Sequence, residues 1–542
     1  MTQAAQARRD PGSPASAIDI RSRTSATARE FVLARFLFPR ALGLVFAIAF
    51  ASLWVQIDGL IGSRGMLPIA EFLDRVRALY GAALVHELPT LCWWNASDGC
   101  LHVQCALGLL LSASIVLGFA QRVSLALAWL LYLSLCVAGQ SFLSFQWDVL
   151  LLETSFFAIF FAPRAWIARL ERAEAPSDWS LFAMRWILFR LMLASGAVKL
   201  ASGDACWRGL SALALHYQTQ PLPTPLAWYA HQLPEWFQRV SCALMFGIEL
   251  LLPWCVFGPR RARIAAAIGF LVLQTLIAAS GNYGFFNLLT AVLCIPLLDD
   301  ALLVRALPQA LAARLSRSGA SSARDRVARD EVERGGDASV GGARSGRTRR
   351  DIARGAGWVF AASAAILSSL MLWARLDRTF TMPSPFAELE AWIAPLRTLN
   401  TYGLFAVMTT ERDEITIEGS RDGLEWKPYV FEDKPGDPRR APPWVAPHMP
   451  RLDWQMWFAA LRRARDNPWF ERLMQRLLEG SPPVLALFES NPFPDSPPRY
   501  VRARLERYEF TSRAERARDG DWWSRVERGT YAYPASLASS PR

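Results

Sequence analysis

Nine apolar stretches, at 38–57, 101–119, 123–138, 143–162, 180–200, 240–257, 263–279, 283–298 and 357–374, alternate with polar segments. Each approaches the ~20 residues that a helix needs to cross a bilayer; several fall short, so their boundaries are soft and one or two can be re-entrant. Within the loop 58–100, Ile69–Val76 is amphipathic at helical spacing and suits a helix lying along the membrane surface. From Asn400 the pattern changes. Leu404–Met408 and Glu414–Glu418 read as strands, Asp422-Gly423 as a hairpin turn, and 499–511 as a further strand with Val501, Ala503 and Leu505 on one face. Helical segments are expected near 453–465 and 468–479, the second capped by Asn467 with Pro468 in its first turn.

This patterning predicts an α-helical polytopic membrane bundle of about nine spans, followed by a mixed α/β, β-sandwich-like soluble domain. The expected parts are a polar cytoplasmic tail at 1–37, an eight-span bundle at 38–300, a disordered cytoplasmic linker at 301–356, a last span at 357–374 and a soluble exported-side domain at 385–542. The linker follows from the Ser, Gly, Arg and Asp content of 315–354. The tail has no apolar core before Phe31, so the first span is expected to act as an uncleaved insertion signal.

Composition supports a membrane protein: 52% of the 542 residues are apolar, and mean hydropathy is +0.16 despite 20% charged residues. The net charge of +11 does not call for nucleic acid, because the arginines gather in alternate loops. Arg8 to Arg35 precede span one, Arg122 follows span two, Arg164, Arg169 and Arg172 follow span four, Arg260, Arg261 and Arg263 follow span six, and Arg305 to Arg354 follow span eight. With nine spans all of these share one side, which makes the N-terminus cytoplasmic and places everything after Trp373 outside. Lysine occurs only as Lys199, Lys427 and Lys434. That bias suggests a GC-rich bacterial source, hence an inner membrane with the tail domain in the periplasm, or an endoplasmic-reticulum membrane if the source is eukaryotic.

Candidate chemistry lies in the ionisable residues within spans, Asp148, Glu153, Arg185, Arg190, Lys199 and Glu249, which are costly in lipid and need partners. Matching depths pairs Arg190 with Glu249 and Asp148 with Lys199, fastening the bundle; the sharper alternative is a proton path or a catalytic lysine. Cys92 and Cys100, seven residues apart in an outer loop, can close as a disulfide on an oxidising face or remain as two thiols. No CxxC pair, GxSxG, HExxH or Gly-rich phosphate loop occurs, which lowers the case for zinc, thiol exchange or hydrolysis. No metal or cofactor is expected. The tail domain holds Trp392, Trp426, Trp444, Trp454, Trp457, Trp469, Trp522 and Trp523. Most suit a core, with one cluster left for recognition; Trp444, His448, Trp454 and Trp457 are the client-binding candidates.

Gly419–Trp426 is similar to a strand-turn of discoidin-type β-sandwiches, which would imply a glycan- or lipid-binding scaffold. A far longer resemblance rests on Gly59–Pro68, Ser144–Thr154, Gly196–Asp204, His216–Pro223, Asn282–Asn287, Asn400–Phe405, Pro442–His448 and Pro450–Leu461. In these segments the chain resembles the lipase maturation factors. The resemblance implies a non-enzymatic, chaperone-like maturation factor for exported proteins, a secreted lipase among them, whose partners are the client and the lipid bilayer, with no nucleic acid. A more distant resemblance, to the membrane part of vitamin K-dependent gamma-carboxylase, implies an intramembrane enzyme with Lys199 or His216 as base.

Overall fold

The computed structural model describes residues 29–81, 84, 86–306 and 340–537. Most of the expected tail and residues 307–339 of the expected linker lie outside them. Every expected span falls on helix: α1 Val32–Trp54, α2 Asp98–Leu117, α3 Gln121–Ala138, α4 Gln146–Phe161, α5 Asp178–Ala201, α6 Glu235–Phe246, α7 Arg260–Ser280, α8 Phe286–Leu293 and α9 Val340–Leu376. Among the described residues, six helices are long and apolar enough to cross a membrane: α1, α2, α3, α5, α7 and Asp351–Leu376 within α9.

The other three depart from regular spans. α4 has 16 residues, α6 passes into a π turn at Gly247–Leu251 and one further turn at Leu252–Cys255, and α8 is continued only by the 3₁₀ turn Ile295–Leu297. Two of them nevertheless contact both ends of the bundle. α4 carries Asp148 against the tail domain and ends at Phe161 and Ala162, whose carbonyls accept from Arg35 at the start of α1. α8 follows Tyr283, which packs on Trp454, and leads to Pro296 and Leu297, whose carbonyls accept from Arg185 and Arg263. Apolar ridges at helical spacing remain uncovered, Ile268, Val272 and Leu276 on α7 and Val123, Leu127 and Leu130 on α3. Such ridges are what hydrocarbon covers.

Two expected boundaries move. α1 starts six residues before the expected 38, so Arg35 is buried inside the helix rather than in a polar tail. α9 already runs from Val340, so the last part of the expected disordered linker is helix. Arginines there do not oppose helix, since arginine is a good helix former.

The tail domain is not a sandwich. Its strands are β1 Arg412–Ser420, β2 Lys427–Pro428, β3 Val430–Phe431, β4 Phe488–Ser490, β5 Tyr500–Phe510 and β6 Trp523–Ala535. They form one antiparallel four-stranded sheet, β2-β1-β5-β6, and a β3-β4 ribbon. Helices supply the opposing layer: α10 Arg451–Ala460 packs on β1 and α11 Pro468–Leu478 on β5. The hairpin turn forms as expected, with Gly423 at φ +81 between β1 and β2. Leu404–Met408 is not a strand. Phe405 takes φ +53, and the segment is held by bonds from Trp207 Nε1 to Phe405 O and from Met408 N to Asp204. Apolar character there serves docking and not pairing. Asn467 precedes α11, but its side chain bonds Arg463 O and Tyr531 Oη instead of capping the helix.

Candidate functional site

Three of the charged residues of the spans, Asp148, Glu153 and Arg190, meet at the junction between bundle and tail domain, whereas Arg185 bonds Pro296 O at the other end. Asp148, in the first turn of α4, takes a two-pronged bond from Arg451, the first residue of α10: Nη1 to Oδ2 at 2.9 Å and Nη2 to Oδ1 at 2.8 Å. Tyr132 Oη donates to the same carboxylate at 2.6 Å, and Arg451 Nη1 also donates to Phe142 O at 2.7 Å. Both ions are fully buried, so each needs the other. Glu153, one turn deeper on α4, accepts from Arg190, from Tyr402 Oη at 2.6 Å and from Asn400 N at 3.0 Å. Arg190 Nη1 closes the ring by donating to Asn400 O at 2.8 Å.

Lys199 donates to both oxygens of Glu249, at 2.8 and 2.6 Å. Glu249 sits in the π turn, a local widening that often re-aims a side chain. The turn presses on α5 at Gly196, where a Cβ would stand 2.8 Å from Leu250 Cδ2 and 3.0 Å from Glu249 Cβ. The expected pairs Arg190–Glu249 and Asp148–Lys199 are therefore not made. Arg190 and Lys199 are nine residues apart, which at about 100° per residue puts them on opposite faces of α5. Depth alone had matched groups that face different neighbours.

Around these pairs the tail domain is clasped by side chains at the helix ends. Asn282 donates to Pro443 O at 2.9 Å and accepts from Val445 N and Ala446 N at 2.9 and 3.0 Å. Ser52 and Gln56, one turn apart at the end of α1, hold the next residues. Ser52 Oγ lies 3.0 Å from His448 Nδ1 and accepts from Met449 N, while Gln56 donates to Met449 O and accepts from Arg451 N. The segment Gln218–Pro221 turns its carbonyls onto the buried Arg412 guanidinium, which also meets Glu414 at 2.6 Å. Trp457 Nε1 donates to Thr219 O at 2.9 Å.

These contacts redistribute the expected site residues. Trp454 and Trp457 are 2% and 6% exposed, packed against Trp147, Tyr283 and Phe405, so neither is available to a client. His448 is half-buried on Ser52. Trp444 stays 60% exposed. Lys199 is engaged by Glu249 and has no free role as a base. His216 Nε2 lies 3.1 Å from Tyr283 Oη, and burial pushes its imidazole down to about 4, with the Lys199 charge adding to the shift. Tyr283 Oη in turn donates to Gln220 at 2.9 Å, so this histidine belongs to a packed polar chain. Cys92 and Cys100 are free thiols, each 3.6 Å from Gln104 Nε2. Among the described residues no cluster of His, Cys, Asp or Glu is arranged to hold a metal ion. Residues that sequence reasoning missed are Arg451, Arg412, Tyr402, Ser52 and Gln56; all lie at the junction.

The two halves joined here correspond to two family profiles. One described as the lipase maturation factor transmembrane domain matches residues 33–305, and one described as the lipase maturation factor C-terminal domain matches 398–534. The chain belongs to the lipase maturation factor family. It is 36% identical to lipase maturation factor 1 of Bos taurus over 526 residues, covering 94% of this chain and 90% of that protein. It is 37% identical to lipase maturation factor 2 of Homo sapiens, covering 91% and 81%, and 35% identical to human lipase maturation factor 1, covering 94% and 88%. No solved structure matches. Every segment that carried the resemblance has residues at the helix ends or in the junction. The family's recognisable motifs thus coincide in this chain with the fastening of its two domains.

Proposed function

We propose that this chain is a membrane-anchored maturation factor that assists the folding of exported proteins, secreted lipases among them, and acts through its tail domain without catalysing a reaction. The observation carrying this reading is the junction. The buried Arg451–Asp148 ion pair, the hydrogen bonds of Asn400 and Tyr402 to the Arg190–Glu153 pair, and backbone clasps from α1 and the segments 204–221 and 282 hold the tail domain directly against the bundle. The membrane part then acts as a rigid mount. The outer surface of the tail domain, with the β6 residues Val526 and Tyr533 exposed, remains for a client, together with Trp444, which is exposed at the rim of the junction between the clasped Pro443 and Val445.

We further infer nine crossings, with the tail domain on the exported side. The arginine-dense loops support this, as do the end-to-end courses of α4 and of α8. The named relatives are vertebrate proteins, which favours the endoplasmic-reticulum membrane. They lend no support to the bacterial inner membrane expected from the arginine bias.

The test places a photoreactive amino acid at Trp444, Val526 or Tyr533 of the full chain in native membranes, co-expressed with a secreted lipase. Capture of newly made lipase from at least one position, and not from a buried control at Trp457, is expected. Lipase that matures while none of the three exposed positions captures it overturns client engagement by this domain.

A further inference from the structure

The end of the bundle opposite the tail domain carries a groove. It has a volume of about 350 Å³ between the start of α1 and the loop after α4, and is lined by Phe36, Trp166, Ile167, Arg169 and Arg172 among others. Six arginines surround this loop, and they divide into two sets. Arg35, Arg40 and Arg122 are consumed by backbone carbonyls. Arg35 bonds Phe161, Ala162 and Ala175, Arg40 bonds Phe36 and Ala168, and Arg122 bonds Phe160 and Ala162. They pin the loop against α1 and α4. The other three, Arg164, Arg169 and Arg172, are exposed, and among the described residues their guanidinium groups have no hydrogen-bond or ion-pair partner. The arginines outnumber the two nearby acids: Glu174 approaches the pinned Arg35 at 3.7 Å, and Glu171 is engaged in a contact.

Exposed arginines are ordinarily satisfied by water. Here the same loop also exposes Trp166 by 70% and Ile167 by 54%, immediately beside the cations and at the end of the helical bundle. An indole and a branched aliphatic chain at that level are residues of the bilayer interface, where an aromatic ring sits among headgroups. Unpaired guanidinium groups at the same depth meet phosphates, for which their planar fork is suited. Basic pockets between membrane helices on the arginine-rich side take anionic headgroups on this physical basis.

We propose that the groove bounded by Phe36, Trp166 and Ile167 binds one anionic glycerophospholipid, with Arg169 and Arg172 on its phosphodiester and the apolar floor on its glycerol and first acyl carbons. The site anchors the bundle at the face opposite the tail domain and fixes its depth in the membrane.

The full chain reconstituted in nanodiscs of phosphatidylcholine with a minor fraction of phosphatidylglycerol, then released and weighed by native mass spectrometry, tests this. The intact protein is expected to retain one phosphatidylglycerol in preference to phosphatidylcholine. Each arginine contributes about fivefold in affinity at a charged surface, so Arg169→Gln with Arg172→Gln weakens retention about 25-fold, whereas Arg499→Gln on the tail domain leaves it unchanged. Should the double variant fail to fold by gel filtration, the single variants are read instead, each about fivefold weaker. Equal retention of the two lipids, or undiminished retention by the arginine variants, overturns the site. Displacement of the lipid by millimolar glycerol 3-phosphate assigns the pocket to a soluble phosphate ester and overturns the membrane-lipid reading.

Discussion

Asp433 and Asp453 show what folding of the tail domain does to single groups. Asp453, in the first turn of α10, is buried and accepts from the backbone N–H groups of Asp433 and Lys434 at 3.1 and 2.9 Å. Burial pushes its carboxyl up to about 6 in spite of those bonds. Asp433 is pushed up to about 7, by burial first and then by Asp453, Glu432 and Glu489, with Arg440 opposing. Both start from 3.8 in the unfolded chain. Between about pH 4 and pH 7 the folded state therefore holds more protons at these two groups than the unfolded state, and their contribution to stability falls as pH rises through that window. The slope is at most about 1.4 kcal/mol per pH unit for each group. His216, held down to about 4 by burial, acts in the opposite direction over the same range, so the readable quantity is the difference between variants. In detergent, the thermal midpoint of Asp433→Asn relative to the unsubstituted chain should be higher at pH 7.5 than at pH 5; a gap that is unchanged or that narrows over this range would contradict the assignment. None of this was legible in sequence, because an aspartate's burial is a property of the helix and ribbon that enclose it.

At the level of elements, periodicity located helices well and partners poorly. Runs of apolar residues placed nine helical segments, six of them long and apolar enough to cross a membrane, because a helix satisfies its own backbone and needs no distant residue to form. The β1-β2 hairpin was legible for the same reason, its turn being local. β6 escaped: its pattern of charges and glycine gives no alternation, and it exists by pairing along β5. Leu404–Met408 was misread because apolar residues that dock on Trp207 resemble apolar residues that pair. Asp148 lacked its true partner since that partner, Arg451, is 303 positions away and comes from outside the bundle. This pair carries a prediction about α4 and α10. Arg451→Met leaves a buried carboxylate uncompensated and should cost about 3–5 kcal/mol of docking stability. It should expose the tail domain to limited proteolysis at its boundary near residue 400. Combining it with Asp148→Leu and Tyr132→Phe removes the stranded charge and the phenol that served it, and should restore much of the loss. A triple variant as protease-sensitive as the single one would show that the ion pair is not what holds the two helices together.

For the whole molecule, the open issue is parity. If only the six long apolar helices crossed, α4, α6 and α8 would not count. The loop at 164–172 and the segment after α8 would then lie opposite the N-terminus, with the tail domain beside it. Arginine-dense loops would be scattered on both sides, against the bias that orients membrane proteins. With all nine, those loops and the N-terminus share a side and the tail domain faces the other. The contacts favour the second arrangement. Asp300 accepts from Val32 N and Leu33 N at the start of α1, and Arg260 pairs with Asp299 at 2.6 Å, so the ends of α1, α7 and α8 meet at one level. α4 covers about 24 Å at 1.5 Å per residue, short of a hydrocarbon core of about 30 Å, a deficit met by local thinning or by its flanking turns. The two arrangements differ in a readable way. A protease recognition sequence placed at the N-terminus, at residue 325 or after residue 537 should be cut, in sealed vesicles, from one side for the first two and from the opposite side for the third. Cleavage at the N-terminus and after 537 from one side, with 325 cut from the other, is the six-crossing signature. That result would remove the tail domain from the compartment where exported chains fold, and the maturation role assigned to it would fail with it.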